Sequence, residues 1–249
     1  MIWLSVLIKQ KKWNPIKFGI LTGIIIYILD TIIWFNAPAG PNYPPGTTIR
    51  EYWIGGIKIP HPSGEYFWVK FGADFMMCFS YSFFAFGWVW IMFENYGKKD
   101  YKEMLLYTGL FFGSWMLTPL LSTLFPINDT IVYTIRYMDT QMIAWFVNVF
   151  VGYTLLFIIY GIGKLRKRDF KLIGYIFLIG ILESLFMVLP LYIFHIRPMG
   201  LIYFIYELFF LFNQGAPYLY ILQIELLPFL RTKIRRKNEE KLLVPIART

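Results

Sequence analysis

The chain has 249 residues, of which 57% are hydrophobic, 21% aromatic and only 16% charged, with a formal net charge of +9. A soluble domain carries roughly 25% charged residues, and a mean hydropathy of +0.53 over the whole length excludes a soluble catalytic domain and predicts a membrane protein. The single cysteine, Cys78, rules out an internal disulfide or a Cys-x-x-Cys centre, and two histidines, His61 and His195, are too few for a histidine-rich metal site. No cofactor and no metal is therefore expected.

Residues 1–14 run from an apolar stretch into Lys9, Lys11 and Lys12. This is the reverse of a cleaved signal peptide, and the segment is too short to span, so it reads as a cytoplasmic interfacial segment. Beyond it, apolar runs long enough to cross ~30 Å of hydrocarbon cover about 15–35, 66–93, 104–125, 138–163, 172–194 and 201–230. The expected fold is all-α: one six-helix transmembrane domain over 15–230, followed by a basic cytoplasmic tail, 231–249. Lys and Arg cluster before the first span and after the second, fourth and sixth, which by the positive-inside rule places both termini in the cytoplasm of a multi-pass cell-membrane protein. Topogenic signals thus explain the positive charge, and nucleic acid is not an expected partner.

The first outer loop, 36–65, is punctuated by six prolines and five glycines. Within it Glu51 to Pro60 reads as a β-hairpin, because two runs of β-formers flank a Gly55-Gly56 turn able to take positive φ twice. The hairpin either rests on the bilayer interface or covers the outer mouth of the bundle. In the second outer loop Asn128-Asp129-Thr130 forms a glycosylation sequon.

Acids inside the spans carry the most information, since a carboxylate in hydrocarbon must face a cavity, a partner or a proton. The outer half holds eight acids against five bases. Lys70 precedes Asp74 by four residues and Arg136 precedes Asp139 by three, so each pair is expected to share a helix face and neutralise itself. Asp30, Glu183 and Glu207 have no basic residue one turn away and need a partner elsewhere, a proton or water. Near the last of them, Glu207, Asn213 and Gln214 lead into a Gly215-Ala216-Pro217 break that frees backbone acceptors.

Several families fail on missing residues. A retinal protein needs a lysine in the middle of its last span; desaturases need histidine boxes; intramembrane proteases need their serine or paired-glutamate and histidine motifs. Two function classes remain. One is an outward-facing, acidic, aromatic-lined cavity formed by Asp30, Asp74, Glu183, Glu207, Asn213 and Gln214, which binds or transports a small polar or cationic solute, with proton coupling as an option. The other is a membrane-embedded enzyme on a lipid or isoprenoid, with Glu183 and Glu207 as acid and base. A non-catalytic subunit of a membrane complex is a third reading. The expected partners are the lipid bilayer and a small solute or lipid, and the oligomeric state is not legible.

Overall fold

The computed structural model describes residues 2–124, 132–195 and 200–234. The sequon at Asn128, Arg197 and the tail beyond 234 lie outside them. The described chain is mostly helical, with one small sheet. In order it runs α1 (Ile2–Lys9), α2 (Trp13–Asn36), β1 (Arg50–Ile54), β2 (Ile57–Lys58), α3 (67–98) and α4 (Tyr101–Leu124). Then follow β3 (Val132–Arg136), α5 (Met138–Leu156, continuing to Gly161), α6 (Phe170–Ile193), α7 (Leu201–Phe210) and α8 (216–234).

Three helices, Trp13–Asn36, Asp139–Gly161 and Phe170–Ile193, are long and apolar enough to cross a membrane, which fits a membrane-embedded protein and corresponds to three of the six expected spans. Four of the long helices pass through a π-helical turn: Leu29–Ile33 in α2, Phe75–Phe79 in α3, Phe157–Gly161 in α5 and Leu222–Leu226 in α8. Such a turn wedges an extra residue into the ladder and re-aims the side chains around it. Asp30, Cys78, Tyr160 and Glu225, which recur below, all sit in these turns.

One continuous core joins α1 through α8, with Trp3, Trp88, Phe111, Ile176, Met187 and Tyr220 among its buried residues. α2 packs along α3, α6 along α7, and α8 against both α5 and α6. Trp3 and Leu7 lie four residues apart on one face and are fully buried, with Trp3 edge-on to Phe83 and Phe84 of α3. α1 thus packs this face against the neighbouring helices, because an indole buried against aromatic rings removes apolar surface from its surroundings. Lys12 pairs with Glu103, and Tyr107 donates to Gln10 Oε1 at 2.6 Å, fastening the following turn.

The expected hairpin forms, with Ile54 opposite Ile57 and the two-residue turn at Gly55 and Gly56, whose φ values are +57° and +79°. The fold is nonetheless not purely helical beyond it. β3, from the stretch just before α5, pairs antiparallel with β1 from Arg50↔Arg136 to Ile54↔Val132, giving a three-stranded sheet in the order β2-β1-β3. Tyr52 on the central strand packs with Phe35 and Ile59 in a small core of its own.

Candidate functional site

Two groups of buried polar residues emerge. The first lies where the sheet meets α2 and α3. Arg50, at the start of β1, is 2% exposed and places Nη1 2.7 Å from Asp30 Oδ2 in the π turn of α2. The same guanidinium donates to Cys78 Sγ at 3.1 Å in the π turn of α3. Arg136, directly across the strand pair from Arg50, reaches the same Asp30 oxygen at 3.3 Å. Like charges opposite one another on neighbouring strands repel, and the shared carboxylate between them removes that cost. Burial works against the Arg50 charge, and the Asp30 carboxylate outweighs it, holding the guanidinium well above the usual arginine range.

Beside it, Lys70 Nζ bonds Asp74 Oδ2 at 2.6 Å and the Thr31 carbonyl at 3.0 Å. Its ammonium also stands over the rings of Phe35 (4.2 Å) and Tyr52 (4.7 Å), and such cation–π contacts strengthen where water is excluded. The other side of the group is exposed: His61 stacks on Phe35 with centroids 3.8 Å apart. Burial pushes His61 below the usual histidine range, and nearby Lys58 adds to the effect.

This geometry corrects two expectations. Asp30 and Asp74 do not line an open acidic cavity; each is closed in an ion pair under the sheet. Arg136 does not serve Asp139 either. It belongs to an extended strand that ends before α5 begins, so the helical i,i+3 relationship never applies, and Asp139 is instead held by Asn42 Nδ2 at 2.6 Å and the Tyr43 hydroxyl at 3.0 Å. The Lys70–Asp74 pair forms as the spacing predicts.

The second group lies along α6 and the broken helix α7–α8. Glu183 sits thirteen residues into α6, ~20 Å from its start. It is fully buried, and neither carboxylate oxygen has a hydrogen-bond partner among the described residues. The neighbouring Ser184 hydroxyl donates to the Gly180 carbonyl at 3.0 Å and accepts from Phe212 N at 3.4 Å, tying α6 to the point where α7 ends. Asn213, also fully buried, occupies the notch left by Gly180: a Cβ there would collide with the Asn213 amide. Asn213 Oδ1 accepts from the Tyr153 hydroxyl of α5 at 2.7 Å, and its Nδ2 donates to the Phe209 carbonyl. Gln214 is half-buried and bonds locally to the Leu211 carbonyl. Glu207 is buried on α7, which packs along α6. The break itself is complete: residues 211–215 form turns, and α8 restarts at Ala216 with Pro217 in its first turn, where a missing N–H costs nothing.

Of the six sequence-predicted residues, the structure therefore separates Asp30 and Asp74, in the first group, from Glu183, Glu207, Asn213 and Gln214. Arg50, Arg136, Ser184 and Tyr153 are partners the sequence reading missed. Neither the pairing of these arginines with Asp30 nor that of Tyr153 with Asn213 carried a signal in the sequence. A third feature is a groove of about 440 Å³ on the outside of α5. Among the described residues no group of acids, histidines or cysteine has metal-binding spacing. Comparison with protein-family models, curated proteins and solved structures finds no match.

Proposed function

We infer that the chain is a six-span cell-membrane protein, both termini cytoplasmic, that binds or carries a small cationic or polar solute at Glu183, with a proton as the exchanging partner. One observation carries this reading: a fully buried carboxyl group with neither oxygen bonded among the described residues, midway along a helix apolar enough to cross a membrane. A bare carboxylate in such a place costs several kcal/mol, so the group holds a proton or receives a cation from a ligand. Support comes from its setting. Ser184 and Asn213 link it to a helix break, and interrupted helices with freed backbone are recurrent parts of solute sites in membranes. In this reading the sheet and its Arg50–Asp30 pair form a closed outer cover, so the structure corresponds to an occluded state.

The experiment is uptake into proteoliposomes containing a pH-sensitive dye, with a panel of primary and quaternary alkylammonium ions as probes. The expected result is a cation-driven internal pH change in the wild type that Glu183→Gln abolishes. Cation-driven signals of equal size in both proteins would refute the assignment.

A further inference from the structure

We propose that the groove on α5 is a binding site for one anionic phospholipid, its acyl chain lying between α5, α6 and α7 and its phosphate on the loop that joins α5 to α6. The groove is almost wholly apolar. α5 supplies Phe146, Phe150 and Phe157, and Phe177 of α6 and Phe210 of α7 form the facing wall. These α5 residues are widely exposed, and they lie on a helix that can cross a membrane, so the medium that meets them is lipid rather than water. From Phe146 to Phe157 the trough follows α5 for ~16 Å, the length of an extended chain segment rather than of a compact solute.

Charge complementarity selects the headgroup. Phe157 ends the groove and touches Phe170 at the start of α6, with centroids 6.2 Å apart. The connecting loop is pinned over that end: Asp169 N donates to the Tyr160 carbonyl at 2.9 Å, its carboxylate accepts from Leu172 N, and Arg168 Nε donates to the Ile162 carbonyl. Five basic residues lie between 164 and 171. Arg166 is taken by Glu225 at 2.5 Å, whereas Lys164, Lys167 and Lys171 are exposed and enter no ion pair among the described residues. An apolar trough that ends beside a loop carrying three exposed lysines outside any ion pair among the described residues suits a lipid with a negative head better than a zwitterionic one.

The test is native mass spectrometry of the full chain released from micelles containing phosphatidylglycerol or phosphatidylcholine with identical acyl chains. The expected result is one retained phosphatidylglycerol, favoured about tenfold or more over phosphatidylcholine. Replacing Lys164, Lys167 and Lys171 together by Gln, a surface change that leaves the core untouched, should bring the two lipids to parity. Val149→Trp, which fills the trough, should remove the retained lipid, with thermal unfolding of the variant confirming that it folds. Equal retention of both lipids by the wild type means an annular lipid only and overturns the proposal, as does headgroup preference that survives the triple substitution. Glu183→Gln should leave lipid retention unchanged, which keeps this outcome separate from that of the solute site.

Discussion

Arg50 Nη1 and Asp30 Oδ2 lie 2.7 Å apart, and this pair fastens the three-stranded sheet to the helices. Removing one member of a buried pair leaves the other charge without compensation, at roughly 3–5 kcal/mol. Asp30→Asn is expected to be the most damaging change at this end, because it leaves Arg50 and Arg136 facing each other with no carboxylate between them. Arg136→Gln should cost less, since its side chain is partly exposed. Thermal unfolding in detergent ranks the variants, and an Asp30→Asn protein as stable as the wild type would show that the pair does not hold the cover.

Gly55 and Gly56 adopt φ of +57° and +79°, where β-branched residues are strained by roughly 1–2 kcal/mol each. Replacing both by valine should loosen the hairpin and expose the 50–60 segment to protease while the helical content stays unchanged. Unaltered cleavage would show that β3 alone holds β1 in place.

His61 gives the 36–65 loop a pH dependence. Its folded pKa is depressed below the free value of ~6.5, so the unfolded loop takes up the proton first. The contribution is present above ~6.5 and lost as pH falls through the folded value. Protection of the loop from protease should therefore decline in mildly acidic buffer, and His61→Phe, which keeps the stack on Phe35, should flatten the profile. Lys58, Lys70 and Glu51 also face this region.

Much of this architecture was legible because it is local. Gly-Gly between runs of β-formers encodes the hairpin, Lys70 and Asp74 meet because one helical turn separates them, and the Gly215-Ala216-Pro217 break follows from proline's missing donor. What escaped is non-local. Asp30 finds Arg50 twenty positions away in sequence and Arg136 more than a hundred away, and β3 joins the sheet from a different loop without any turn chemistry that announces it. The same limit made Asp30 look like a cavity-lining acid, since a cation on a distant strand has no signature beside the acid it neutralises. Glu183 was readable for the converse reason: no base stands near it in sequence, and the fold brings none to it among the described residues.

Close packing between α6 and the broken helix is tested by Gly180→Ala. The added methyl collides with the Asn213 amide, and overpacking of this kind costs roughly 1–3 kcal/mol. Asn213→Ala should be destabilising by itself, because it orphans the Tyr153 hydroxyl, yet the double variant should lose less than the sum of the two. Additive losses in a thermal double-mutant cycle would show that the two residues do not share the notch.

The most direct measurement of the central claim is infrared difference spectroscopy of the full chain in nanodiscs, wild type against Glu183→Gln, as alkylammonium is titrated at fixed pH. The account predicts a protonated-carboxyl band in the cation-free wild type that is absent from the variant and that bleaches as the cation binds and the proton leaves. A Glu183 band that persists at saturating cation, or spectra that do not differ between the two proteins, would contradict it and leave Glu183 a structural acid.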